Sequence, residues 1–523
     1  MSAIPVLKPR PKPVIEKPKL GLRAWMERVL EECDHAAAGF DADAVHDLRV
    51  ALRRCRSLGD GLMSMDSDPR WKEMKKAGRK LFRALGDLRD MQVMQEWIEK
   101  LSETTEGESS GVQGQADAVA AKLLSHVRAR EVECKQLAWK DLNQFDRKSW
   151  QGWSRTLSGR ASRLRPGNAV YLHLALEKWT AGYELHKRAV RTRSQIALHE
   201  LRIGIKRFRY TVENFLPAQH ALWGRDLKEL QDLLGEVHDL DVLWATALEI
   251  QAFPDSESRN RWREKINQER NRRVERYREM MIGKQSRWGV WRTALPAGVE
   301  LRAAAMRRLR AWAAFLDPDF AHSQRVAQLS LCLYDGLRNG GLLRHEDESG
   351  LREVLQAAAW MHDVGRAKGN QKHQKRSSRA ILGLAPPLGW SARELELAAL
   401  VARYHRGALP RPRANRMQRL ELPDRRVVLE LAGILRLANA LDPRDGIAPR
   451  LEVESRDGAV MVHTAGYSPL DHSAENVAAA RHLLETVLRK PVMVREMRVP
   501  RSAGPIHAER NHSGRSIAPA RSA

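Results

Sequence analysis

A short basic pattern occurs twice, in register, along the 523 residues of this chain. His46, Arg49, Arg53, Arg54 and Arg56 are matched by His199, Arg202, Lys206, Arg207 and Arg209, each pair 153 positions apart. A second block repeats with it: Leu85, Gly86, Asp90 and Val93 correspond to Leu234, Gly235, Asp239 and Val242, now 149 positions apart, so the second copy has a shorter connection. Such a chain folds as two related halves. From Leu22 to about Trp291 apolar residues recur at helical spacing, with breaks at Met65–Pro69 and Ser102–Gly114, and each half reads as about four helices.

Successive helical residues turn by about 100°. With His46 at zero, Arg49, Arg53 and Arg56 fall within an arc of about 80°, and Leu48, Ala51, Leu52 and Cys55 fall on the opposite side. One face is core and the other is charge. A guanidinium presents a planar fork of donors to phosphate oxygens and stays charged at any physiological pH; Lys206, standing where the first copy has Arg53, keeps the charge without the fork. Pseudo-twofold packing of the halves is expected to bring both stripes onto one groove.

The charge balance asks for an anionic partner. Lys and Arg number 90 against 65 Asp and Glu, a net charge of +25, which fits nucleic acid, inorganic polyphosphate or an acidic surface. The chain has no zinc-finger, RNP or KH pattern, so a nucleic-acid partner would be bound without sequence preference. Its apolar stretches are too short to cross a bilayer, and no membrane partner is expected. Cys33, Cys55, Cys134 and Cys332 are widely spaced and give neither a zinc pattern nor a disulfide framework, which fits a reduced cytoplasm. Residues 1–21 and 500–523 read as basic disordered tails.

The two blocks together, His-x-x-Arg-(x)3-(Arg/Lys)-Arg-x-Arg and then Leu-Gly-(x)3-Asp-x-x-Val, resemble the CHAD family of conserved-histidine α-helical domains. The resemblance covers residues 22–295, with repeats at about 22–150 and 165–292. It implies a duplicated helical fold that binds inorganic polyphosphate in a basic central groove. The implied contacts are His46, Arg49, Arg53, Arg56, His199, Arg202, Lys206 and Arg209, with Arg54 and Arg207 at the rim and Asp90 and Asp239 orienting the cations. Polyphosphate granules and polyphosphate-metabolising enzymes are the further partners it suggests.

After a linker near Leu295-Pro296-Ala297-Gly298, residues 300–447 read as a second helical domain and 448–499 as a small β-β-α-β tail. The tail has strands at Leu451–Glu454 and Ala459–His463 around an Asp457-Gly458 turn, a helix at about Glu475–Arg489 and a strand at Val492–Glu496. The fold class expected is mainly α: duplicated bundles, then an all-helical domain with an α+β tail. His322, His362-Asp363-Val364-Gly365, His373, His405 and Asp442 supply imidazole and carboxylate, which suit a divalent metal such as Mn, Mg, Fe or Zn. Ligands so far apart in sequence converge only in a helical bundle.

With Lys375, Ser377, Arg403, Arg406 and Pro410, this segment resembles the HD domain of the exopolyphosphatase/guanosine pentaphosphate phosphohydrolase family. The resemblance implies metal roles for His322, His362 and Asp363. His373, Lys375, Arg403, His405 and Arg406 are assigned to phosphate. Where the family has a late Asp, this chain has Asn439, a neutral and poorer ligand; Asp442, about one turn later, is the available substitute. The family's actin-like domains have no counterpart in this chain.

Three functions follow for comparison. The preferred one is a polyphosphate-binding protein whose second domain adds an anion- or nucleotide-sensing surface. The others are a metal-dependent phosphohydrolase acting on polyphosphate or guanosine tetra- or pentaphosphate, and a non-specific nucleic-acid binder.

Overall fold

The computed structural model describes residues 21–103, 117–343, 350–411, 415–442, 450–456, 458–465, 467–470 and 473–497. The basic tails expected at 1–21 and 500–523 lie almost wholly outside the described residues, and so does Asp457 of the expected turn. The chain divides into two units, one of residues 1–316 with 385–392, the other of residues 317–384 with 393–523.

The first unit is all helical: α1 (Leu22–Ala36), α2 (Ala42–Met63), α3 (Pro69–Glu103), α4 (Ala118–Asn143), α5 (Arg147–Ala161), α6 (Ala169–Thr192), α7 (Gln195–Phe215), α8 (Pro217–Glu249), α9 (Ser256–Met281), α10 (Arg287–Thr293) and α11 (Gly298–Leu316). Each half carries a fifth helix beyond the four that the apolar spacing suggested. These are α5 and the seven-residue α10, and each inserts tryptophan into the core. The indole N–H of buried Trp150 donates to the Met26 carbonyl at 2.9 Å, and Trp288 and Trp291 are buried in contact with one another.

The two basic helices start alike. Asp41 caps α2 by accepting from the backbone N–H of Asp43 and Ala44 at 3.0 and 2.9 Å, and Ser194, 153 positions later, caps α7 by accepting from Ala197 N–H at 3.2 Å. Their apolar sides are buried: Leu48, Ala51, Leu52 and Cys55 on α2, Leu201, Ile205 and Phe208 on α7. Helices α2 and α7 pack together, and Gly61 sets how closely. A Cβ at Gly61 would lie 2.3 Å from Cε2 of Phe215, a ring that is itself buried. Gly61→Ala therefore overpacks the crossing and costs about 1–3 kcal/mol, read as a lower midpoint of chemical denaturation; an unchanged midpoint would show that the crossing is loose.

The second unit holds α12 (Phe320–Asn339), α13 (Leu351–Met361), a 3-10 turn (Val364–Lys368), α14 (His373–Leu382), α15 (Ala392–Arg403), α16 (Asn415–Gln418), α17 (Leu422–Ala440), β1 (Leu451–Arg456), β2 (Ala459–Thr464), α18 (Ser473–Leu488) and β3 (Val492–Glu496). The expected β-β-α-β tail is present within a few residues of its expected limits. β1 pairs antiparallel with β2, Val453 opposite Val462, and β2 pairs parallel with β3, Val462 opposite Val494. The parallel pair requires a crossover, which α18 provides. Gly433 of α17 lets α18 approach, since a Cβ there would sit 3.2 Å from the Leu484 backbone.

Candidate functional site

In the first unit the two stripes meet around one side chain, Tyr210. Its ring lies under the Arg53 guanidinium of the first repeat at 5.4 Å and under Lys206 and Arg209 of the second at 6.0 Å each. The position equivalent to Tyr210 in the first repeat is Ser57, so the repeat could not reveal it. On the first-repeat side, Phe82 of α3 plays a similar part, with Arg49 at 5.4 Å and Arg56 at 4.8 Å from its ring centre. Gly86 of the repeated Leu-Gly pair gives Arg49 room: a Cβ there would come within 2.9 Å of Nη1. Gly235, its equivalent, has no such neighbour.

Arg54, expected at the rim, instead ties the halves together. It donates to the Glu213 carboxylate and, at 3.3 Å, to Asn214 Oδ1, with its guanidinium 5.4 Å above the Trp25 ring. Arg207 and His46 are exposed. His199 stands 4.8 Å, ring to ring, from His238.

Burial, with the neighbouring cations, shifts the protonation of the stripes. Burial lowers the pKa of Arg49, Arg53 and Arg56 from the usual arginine value, with Asp90, Tyr210 and Asp60 respectively opposing it most. Burial, with Arg202, Arg53 and Arg49 beside it, pulls the Lys206 ammonium down to about 8. Burial raises the Asp90 carboxyl against the pull of Arg49, Arg202 and Lys206. It lifts Asp239 to about 6, Arg202 pulling the other way and Asp90 adding to the rise. Both aspartates thus sit within electrostatic reach of cations from the stripes. Among the described residues, Arg49 Nη1 and Arg53 Nε are buried with no hydrogen-bond acceptor. Buried guanidinium N–H groups are costly to leave unpaired, and an anion bound beside them would satisfy them.

Lys206 is expected to make the stripes pH-sensitive. Its folded value of about 8 lies below the roughly 10.4 of an unfolded lysine. Below pH 8 both states are protonated and the fold carries the cost of burying the charge. Between these values the unfolded chain binds more protons, so this group's contribution makes the fold more stable as pH rises. A bound polyanion favours the charged form, so binding at pH 8.5 takes up protons. Calorimetry in buffers of different ionisation enthalpy detects the uptake, and Lys206→Arg removes most of it; equal uptake in that variant would place the proton elsewhere.

In the second unit, four histidines and one aspartate converge. α12 carries His322, the end of α13 brings His362 and Asp363, α14 opens on His373, and His405 follows α15. His322, His362 and Asp363 form one group with ligand atoms within 4.8 Å of each other; Asp363, His373 and His405 form another, and Asp363 is shared. From Asp363 Oδ1 the distances are 2.9 Å to His373 Nε2, 3.6 Å to His405 Nε2 and 3.7 Å to His362 Nε2. The other oxygen accepts from Arg366 at 2.9 Å.

The histidine rings are held by their far nitrogens. Nδ1–H donates to a backbone carbonyl in three cases: His362 to Ala359 at 2.6 Å, His373 to Asn370 at 2.9 Å and His405 to Ala402 at 2.8 Å. Each Nε2 lone pair is thereby turned inward, which is how metal-ligating histidines are commonly set. Burial keeps His362 and His405 low in pKa, hence neutral and able to donate an electron pair. Burial opposes ionisation of Asp363, but His373, 2.9 Å away, and the neighbouring imidazoles hold it well below the usual carboxylate range. His373 and His405 Nε2 face one another at 3.2 Å, and His362 Nε2 and Asp363 Oδ1 are buried without a hydrogen-bond partner. A cation would satisfy the facing nitrogens and the carboxylate together, and the donor set fits a divalent metal.

His322 enters from the other side. Nε2 lies 3.0 Å from Asn439 Oδ1, and Nδ1 donates to Asp442 at 2.7 Å. Asp442 is also gripped by the Arg325 fork at 2.7 and 2.9 Å and pulled down to about 2, burial opposing and the His322 and Arg325 bonds prevailing. Among the described residues Asp442 meets the cluster through His322, which it orients, while Asn439 faces the other nitrogen of that ring. Of the residues assigned to phosphate, His373 and His405 lie inside the cluster. Lys375 and Arg406 are exposed, and Arg403 rests 5.5 Å from the Tyr404 ring. The sequence singled out all of these residues but assigned His373 and His405 to phosphate; the structure sets both beside Asp363. Gly365 secures the geometry, since a Cβ there would collide with the His373 carbonyl at 2.4 Å and Ser377 N at 2.6 Å.

A duplicated helical unit with two cationic stripes that meet at Tyr210 and a second, mainly helical unit with a buried imidazole-carboxylate cluster is the class of protein defined by these features. Residues 21–248 match the family model of the CHAD domain, and residues 302–456 match that of Ppx/GppA phosphatase, domain III. The chain thus carries a CHAD domain followed by a Ppx/GppA-type domain III, and the two families together mark a polyphosphate-related protein. The crystal structure of the CHAD domain from the plant Ricinus communis is similar over 53% of this chain and 90% of that one, at 21% identity and a TM-score of 0.34. No curated protein matches the chain. Among the described residues no helix is long and apolar enough to cross a membrane.

Proposed function

We propose that this protein binds inorganic polyphosphate in the groove between α2 and α7, with His46, Arg49, Arg53, Arg56, His199, Arg202, Lys206 and Arg209 contacting successive phosphates. The observation that carries the reading is the convergence of both stripes on Tyr210 with buried, acceptor-less guanidinium donors beside it. A flexible chain of closely spaced anions can reach such recessed donors, whereas the stiff, wide backbone of duplex nucleic acid is poorly suited to them. Cytoplasmic polyphosphate, including its granules, is the proposed setting. Competition tests the reading: duplex DNA should fail to displace long-chain polyphosphate at equal phosphate concentration. Displacement by DNA would favour non-specific nucleic-acid binding.

A second reading rests on the His322, His362, Asp363, His373 and His405 cluster. The second unit would be a metal-dependent phosphohydrolase of HD type, supplied with polymer by the first. These five residues would hold the ion; when bound, a divalent metal acidifies coordinated water and polarises phosphoryl oxygen. Asp442 orients His322, and Arg366 holds the free oxygen of Asp363. Phosphate release from polyphosphate or guanosine tetra- and pentaphosphate, with Mn or Mg, tests it. Turnover that is lost in His362→Ala and Asp363→Ala supports the enzyme; no turnover leaves the second unit as an anion- or nucleotide-sensing surface.

A further inference from the structure

The two halves of the first unit match in their stripes and differ beside them. Between α2 and α3 lies an open pocket of about 520 Å³ lined by Arg56, Lys72, Lys76, Arg79 and Arg83, with Phe82 and Met63 as its apolar floor. Arg56 belongs to both places: it is the last cation of the α2 stripe and a wall of this pocket. The four cations of α3 are spaced by four, three and four residues, so they share one helix face. All four are exposed, and among the described residues none of them forms an ion pair. The one further cation of the pocket, Lys75, is paired with Asp60, which also lies near Arg56.

Like charges at these spacings destabilise a helix by about 0.2–0.5 kcal/mol per pair, and here no local partner offsets that cost. The second repeat shows that the fold does not need them. At the corresponding face of α8 the pocket, of about 330 Å³, is lined by Arg225, Lys228, Glu229, Asp232, Leu233 and Glu236. With the 149-residue offset, Lys76 and Arg79 become Arg225 and Lys228, but Lys80 and Arg83 become Glu229 and Asp232. Carboxylates there neutralise a face that is purely cationic in the first repeat.

We propose that the α2–α3 pocket is a second polyphosphate-binding station, entered from the groove past Arg56, so that a long polymer leaves the protein on the side of the first repeat only. This rests on the groove reading above and adds a direction to it. The groove alone accommodates a short oligomer; the pocket adds contacts only for a chain long enough to run through both. Phe82 serves the two sites together, its ring facing Arg49 of the groove and Arg56 of the pocket.

The test uses the full chain carrying Lys72→Glu, Lys76→Glu and Arg83→Glu, titrated with long-chain polyphosphate and with a short oligomer by calorimetry at fixed salt. Because the three residues are exposed, the fold should hold; a thermal melt checks it, and the alanine triple variant replaces the reversal if it does not. The expected result is a loss of at least about tenfold for the long chain, with a shallower salt dependence, and short-oligomer affinity unchanged. Reversing Arg225 and Lys228 to Glu should have a much smaller effect on the long chain. Unchanged long-chain affinity in the triple variant overturns the proposal while leaving the groove intact. Equal losses for long and short chains also overturn it, as does a variant that loses only duplex DNA. If the unaltered protein binds neither polymer, the groove reading itself has failed.

Discussion

Arg53→Gln combined with Lys206→Gln is expected to weaken polyphosphate binding by roughly two to four orders of magnitude. A hydrogen bond to a charged group contributes about 1.5–3 kcal/mol, and two such contacts make about 3–6 kcal/mol at about 1.4 kcal/mol per tenfold. The pair is chosen because these cations, one from each repeat, face the same Tyr210 ring. Their removal should not unfold the protein. Relieving mutual repulsion between buried cations leaves stability equal or higher, and the halves stay tied through Arg54, Glu213 and Asn214. Isothermal titration against long-chain polyphosphate reads the loss. A change smaller than about fivefold, too small for even one such contact, would mean that the stripes do not form the binding surface.

Asp363→Asn should have the largest effect in the second unit. Asp363 is common to both candidate ligand groups, its Oδ1 faces three of the imidazoles, and its charge would balance a divalent cation among neutral imidazoles. Altering mere outer-shell partners of a metal ligand costs about 10–100-fold in affinity, so loss of the shared ligand should exceed that. In the unaltered protein, metal at a hundred times its Kd should add about 2.7 kcal/mol of stability, seen as a rise in Tm on adding Mn or Zn. The variant should show almost none of this rise. Elemental analysis of the purified full chain gives a readout independent of turnover. No bound metal and no Tm response in the unaltered protein would show that a proton, shared among His373, His405 and Asp363, stabilises the cluster instead.

The legible parts of the molecule were those written in local periodicity. Apolar spacing gave the helices of the first unit, the 153-residue offset gave two halves, and alternation around Asp457-Gly458 gave the hairpin of the tail. The helices and the hairpin depend on residues within a few positions of one another, where helix and strand geometry alone decide which side chains share a face, and the halves on a repeated pattern that needs no packing to be seen. α5 and α10 were less visible because their contribution is a few buried tryptophans rather than a long amphipathic pattern.

The sequence by itself determined which residues carry charge and on which face of α2 and α7 they stand. Only the tertiary structure decided what those faces meet: Tyr210 between the stripes, Arg54 as a tie between the halves, and Asp442 held by Arg325 behind His322. In the same way it gathered His373 and His405, 10 and 42 positions after Asp363, onto one carboxylate oxygen. The reason is physical. A helix's own faces follow from its rise and turn, but which faces meet is settled by close packing at crossings such as Gly61 against Phe215, and no local pattern encodes that geometry.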